Sequence, residues 1–143
     1  MSITVQQLRI DNWVKFEGKL YQIGAIYNSG QISLVGYEDG SVDISSLDPV
    51  ELSEPILASI ENFKRETPDD RDGMVFIVNK KFIVRQVNFG FLGNAQLGFA
   101  FELCENDDWC TVVSKVSSLH QLQNITYSLT ETEIIYNPQS VTK

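Results

Sequence analysis

The sequence predicts an α+β, β-rich fold: a small SH3-like N-terminal barrel followed by a helix, a four-stranded antiparallel meander and a C-terminal helix. Three observations carry this. Apolar residues between positions 13 and 50 come in short runs separated by Gly, Asn and Asp, which is the spacing of strands and tight turns. After Ser53 the spacing changes to helical, behind a capping residue. From Met74 the period returns to two, until a second capped helical stretch opens at Ser117 or Ser118. The expected division is residues 1–50 for the barrel and 51–143 for the helix, meander and last helix.

Taken in order, Trp13 to Phe16 and Leu20 to Tyr27 read as strands joined by Glu17-Gly18-Lys19. Asn28-Ser29-Gly30 turns into a third strand, Ile32 to Tyr37. Asp39-Gly40 is the strongest hairpin signal, because both residues tolerate the positive φ that tight hairpins need. Val42 to Ile44 closes the set, and Ser46-Leu47-Asp48-Pro49 reads as a turn leaving it. Short strands at this spacing favour a small, strongly bent barrel over an open sheet. Ser53-Glu54-Pro55 is a helix start, and Ile56, Leu57, Ile60 and Phe63 share one helical face that fades near Lys64-Arg65. Residues 66–73 (ETPDDRDG) hold no apolar side chain and read as a surface loop or linker. Met74 to Val78 and Phe82 to Val87 form one hairpin, and Phe99 to Leu103 and Trp109 to Val113 another. The last helix places Leu119, Leu122, Ile125 or Thr126, and Leu129 on one face, which fits packing across the meander. Glu133 to Tyr136 reads as an added edge strand, and Asn137 to Lys143 as a frayed tail.

The chain has 143 residues, of which 43% are hydrophobic, enough for a packed core that needs no metal or disulfide. No run approaches the roughly 18 apolar residues of a membrane span, and the first residues lack the pattern of a secretory leader. The expected location is therefore the cytoplasm of the host cell, without membrane contact. Net charge is −8. The segment from Glu38 to Asp72 carries eleven acids against three bases, which accounts for the whole excess. Such a surface repels phosphate and suits a basic protein partner, so nucleic acid is a disfavoured ligand.

Two segments carry a resemblance. Leu8-Arg9-Ile10-Asp11-Asn12-Trp13-Val14, with Gly18-Lys19 and Leu47 to Glu54, resembles the opening of small uncharacterised proteins of Bacteroidetes genomes and their phages. Leu119-His120-Gln121-Leu122-Gln123-Asn124, with Leu129-Thr130, resembles their closing helix. The chain departs from that pattern at Thr132, where the relatives often turn with Gly after Thr. The resemblance implies a phage or mobile-element setting. It implies no activity, and it carries no catalytic residue over.

The residues themselves offer little chemistry. His120 is the only histidine, which excludes a two-histidine metal site. Without a placed nucleophile it reads as a partly exposed residue bonded to a nearby loop. Cys104 and Cys110 lie across a predicted hairpin, where facing positions would bring them close, yet in a cytoplasmic protein they read as reduced, small apolar side chains. Asp69, Asp70 and Asp72 lack the EF-hand spacing and read as solvated loop acids, so no metal and no cofactor are expected. The glycines near Phe89, Phe91 and Leu92 match no phosphate-binding motif. That loop is either a flexible connection or an exposed aromatic anchor.

The expected role is thus non-catalytic binding: an acidic phage or mobile-element protein that inhibits a host antiviral system such as a CRISPR nuclease. Glu38, Asp39, Asp69, Asp70, Asp72, Phe89, Phe91 and Leu92 are the candidate partner-binding residues. The alternative is a single-strand-binding accessory factor of phage replication or packaging, using Lys80, Lys81 and Arg85. Three cations are few against the about 6–10 phosphate contacts of strong duplex binders. A metal-using enzyme built on Asp69, Asp70 and Asp72 is the third possibility, disfavoured because no residue set meets the geometric requirements of a reacting centre.

Overall fold

The computed structural model describes residues 7–66, 75–78, 81–88, 97–105 and 108–138. They form two five-stranded antiparallel sheets and two helices. The chain divides into two units, Met1–Glu51 with Ser118–Glu131, and Leu52–Ser117 with Thr132–Lys143. No described helix is long and apolar enough to cross a membrane.

In the first unit, β1 (Trp13–Phe16), β2 (Lys19–Ile26), β3 (Gln31–Leu34), β4 (Ser41–Asp43) and β5 (Leu47–Pro49) line up in the order β4-β3-β2-β1-β5. Alternation puts Val14, Ile23, Ile32, Leu34, Val42 and Leu47 into one core. The register between β2 and β3 shifts at Gly24. A Cβ there would sit 3.3 Å from Val35 Cγ2, so glycine lets the two segments approach. Among the described residues β4 and β5 are the edges of this sheet, and the ladder is not closed into a barrel.

Two local expectations are corrected. Residues 47–49 are an edge strand on β1, not a departing turn: Leu47 is buried, and Pro49 is tolerated because its missing N–H lies at a sheet edge. A 3-10 turn at Ile44–Ser46, capped by the Asp43 carboxylate on Ser45 N (2.9 Å), reverses the chain into it. Asp39-Gly40 does lie between paired strands, but β3 stops at Leu34, so residues 35–40 make a longer connection than a two-residue turn.

In the second unit, α1 (Glu54–Ala58) is followed by β6 (Lys64–Glu66), β7 (Val75–Ile77), β8 (Phe82–Asn88), β9 (Leu97–Glu105) and β10 (Asp108–Val116), which pair in sequence order. The predicted meander is present and gains β6 on its edge. Consecutive burial of Phe82, Ile83 and Val84, and of Phe99, Ala100 and Phe101, shows that the central strands are covered on both faces. The Phe82 and Phe101 rings meet at 5.4 Å on a cross-strand diagonal.

Ser53 caps α1 as expected, accepting from Ile56 N at 3.3 Å. The helix is shorter than its apolar period promised. Ser59 Oγ donates back to the Pro55 carbonyl (2.8 Å), and Ile60 leaves to bridge Tyr136. Asn62 holds the returning chain by donating to Glu133 O (2.9 Å) and accepting from Ile135 N (3.0 Å). The expected edge strand at 133–136 is thus a single bridge.

The C-terminal helix α2 (Leu119–Thr130) is capped by Ser118, the second of the two serines the sequence offered. The expected partner was the meander; the helix is instead assigned to the first unit, where it packs beside β1. It ends on Glu131 in the left-handed region (φ 58°), a conformation that costs a Cβ-bearing residue more than glycine. We therefore expect Glu131→Gly to stabilise the protein by about 0.5–1 kcal/mol, read as a higher urea midpoint at unchanged slope.

Candidate functional site

Three places in the described chain gather polar or ionisable side chains. The first joins the two ends of the first unit. Asn12 is fully buried ahead of β1, and Gln123 is buried on α2. Asn12 Nδ2 donates to Asn124 Oδ1 (2.9 Å), which also accepts from Arg9 Nε (3.1 Å). Asn124 Nδ2 donates to the Gln7 carbonyl (2.9 Å). Gln123 binds the chain like a staple: its Oε1 accepts from Trp13 N (2.8 Å) while its Nε2 donates to Asp11 O (3.0 Å). The Asn12 Oδ1 accepts from Arg9 N (2.8 Å), and the Arg9 guanidinium lies 4.7 Å from the Tyr127 ring centroid. Both amide ends of Asn12, Gln123 and Asn124 are thereby partnered, so their burial is not penalised. The two segments that carry the sequence resemblance meet here, and their polar residues have an architectural task. The amides alone leave no signal of this pairing, which depends on α2 packing beside β1.

The second place is a rim of aromatic rings on the first unit. Phe16 ends β1, Tyr21 lies on β2, and Tyr37 follows β3. Gly36 adopts φ 86°, and Tyr37 N donates to Leu34 O (3.2 Å), a turn that swings Tyr37 back over the sheet. The Tyr37 ring meets Phe16 at 5.3 Å and Tyr21 at 5.9 Å, both edge-to-face. All three rings are half-buried and extend the core cluster. Glu17 and Asp39 stand exposed on the two adjoining turns. Loss of hydration, then the charges of Asp39 and Glu17, and then Tyr21 push the Tyr37 hydroxyl above the usual phenol range. The sequence reading singled out Glu38 and Asp39, both exposed, but missed the rings beside them because they read simply as strand residues.

The third is His120. The structure overturns the expectation of a partly exposed, loop-bonded side chain: it is 6% exposed, and its Nδ1 finds no hydrogen-bond partner among the described residues. Ser118 and Leu119 are buried with it, so the whole helix start is enclosed. Burial holds the imidazole below its ordinary pKa.

Other predicted residues are dispersed or lie elsewhere. Asp69, Asp70, Asp72, Lys80, Phe89, Phe91 and Leu92 fall outside the described residues. Lys81 is exposed, while Arg85 pairs with Glu102 at 2.9 Å and so spends its charge within the sheet. Cys110 opposes Leu103, and Cys104 opposes Trp109, so the two cysteines are not cross-strand partners. Cys110 is free and exposed. Among the described residues no three His, Cys, Asp or Glu side chains converge as metal ligands would.

Two outcomes follow. Asn124→Ala strands the buried Asn12 amide and the Arg9 Nε, and should cost about 2–3 kcal/mol in urea unfolding. In the unfolded chain His120 takes up a proton near pH 6.5, before the folded chain does. Stability should therefore be flat above that pH and fall below it, by up to about 1.4 kcal/mol per unit, until the folded pKa is passed. Denaturation between pH 7.5 and 5.5 should show this slope in the native chain and a shallower one in His120→Leu. No family model, no curated protein and no solved structure matches this chain.

Proposed function

We propose that this chain is a non-catalytic binding protein whose partner presents a basic surface. In the phage or mobile-element setting that the sequence resemblance implies, it would occupy such a surface on a host antiviral protein, an RNA-guided nuclease being the class that fits. One observation carries the reading. The first unit holds eight acids against three bases, a net charge of −5, and all eight acids are exposed. One of the three bases, Arg9, is committed to the joint with α2. The field of this unit is therefore negative, which repels nucleic acid and speeds encounter with a cationic protein surface.

The strand order β4-β3-β2-β1-β5, with a 3-10 turn between the last two strands, supports reading this unit as SH3-like, a scaffold that commonly presents binding surfaces. The single-strand-binding alternative is weakened by the Arg85–Glu102 pair, which leaves its hairpin with less positive field.

The immobilised chain, challenged with lysate of a bacterial host, should retain a basic protein at low salt and release it as salt screens the charges. Retention of single-stranded nucleic acid in place of protein, or of nothing at low salt, contradicts the reading.

A further inference from the structure

We propose that the rim formed by Phe16, Tyr21 and Tyr37, between the turns that carry Glu17 and Asp39, receives an arginine side chain of the protein partner. The inference rests on the reading of an acidic binding protein and names where and how it grips.

The rings come first. Their edge-to-face arrangement at 5.3 and 5.9 Å gathers three aromatic groups at one end of the core, each half-buried rather than sealed inside it. Aromatic faces attract cations through their quadrupole, and a guanidinium does so more often than an ammonium because it is planar and weakly hydrated. The carboxylates come second. Glu17 directly follows Phe16 in the β1–β2 turn and Asp39 lies two residues past Tyr37, so two exposed carboxylates flank the rings from separate turns, and the negative charge of both acts on the Tyr37 hydroxyl. Neither carboxylate has an ion-pair partner among the described residues. The chain's own nearby cation, Lys19, opposes Phe16 across the β1–β2 ladder and is exposed. Two acceptors on different turns suit the several donors of a guanidinium, which can lie along a ring while bonding in its own plane. A phosphate would meet two negative charges here, and an apolar side chain would bury them.

The test uses the full chain and amide chemical shifts. The probe is a peptide with one arginine between glycine and serine residues, compared with its lysine and citrulline counterparts. Citrulline keeps the shape and removes the charge. The expected result is saturable shifts at residues 16–21 and 36–40 with the arginine peptide, weaker ones with lysine and none with citrulline. Glu17→Gln with Asp39→Asn should weaken binding roughly tenfold, since it removes charge-assisted bonds while leaving exposed turns intact. Tyr37→Leu should weaken it comparably by removing a ring. Asp48→Asn with Glu61→Gln, exposed acids placed elsewhere, should change it little. Equal response to citrulline, shifts spread over all acidic turns, an equal loss in the control variant, or no saturable shift overturns the assignment. Failure here is separable from failure of the broader reading. If the Glu17→Gln, Asp39→Asn chain still captures the basic partner from lysate, the rim is not the grip but the acidic binding protein stands.

Discussion

A buried joint of side-chain amides holds the first unit together. Asn12 and Asn124 lie 112 positions apart in sequence, yet one hydrogen bond of 2.9 Å links them, and Gln123 clamps both a donor and an acceptor of the backbone entering β1. Amides suit this task. They carry both donor and acceptor, so three of them satisfy one another and the local backbone, and unlike carboxylates they carry no charge to desolvate. In a low-dielectric setting such a network specifies one geometry, because any slip leaves polar groups stranded. The joint also makes the first unit discontinuous: residues 52–117 are strung between its two segments.

How much of this could be read from the sequence depends on what kind of information each element needed. Strands β1 to β3 and β7 to β10 were legible because local alternation and turn residues determine them. Both caps, Ser53 and Ser118, were legible for the same reason. The strands that escaped were short and edge-placed. Asp48-Pro49 carries turn chemistry, and Lys64–Glu66 holds no apolar residue to alternate, so only pairing with a neighbour defines them. Of the four residues the helical period named, Ile56, Leu57 and Ile60 are buried and Phe63 is half-buried beyond the helix, and Ile60 buries through a bridge to Tyr136 instead of through another helical turn. The helical period of α2 placed Leu119, Leu122 and Thr126 on the buried face, but Leu129, expected beside them, is exposed, and the period did not identify what covers that face.

The candidate site shows the same division. Composition disclosed the acidic excess, and a linear count placed it between residues 38 and 72. Folding redistributes it, giving the first unit a net charge of −5 on exposed positions drawn from β-turns, strands and the end of α2. The aromatic rim needs Gly36 to turn Tyr37 back and β1–β2 pairing to bring up Phe16 and Tyr21, and none of these steps leaves a motif in the sequence. His120, the chain's single histidine, is enclosed, and its burial disfavours the charged imidazole, which makes it a source of instability in acid.

α2 and the first sheet belong to one compact unit and should unfold as one. Native-state hydrogen exchange of the whole chain, followed by residue across low urea concentrations, tests this directly. Amides of residues 119–130 should open together with those of 13–26, at one free energy and one denaturant slope, while those of 97–103 follow their own. Helix amides that open in step with 97–103, or independently of both sheets, would contradict it.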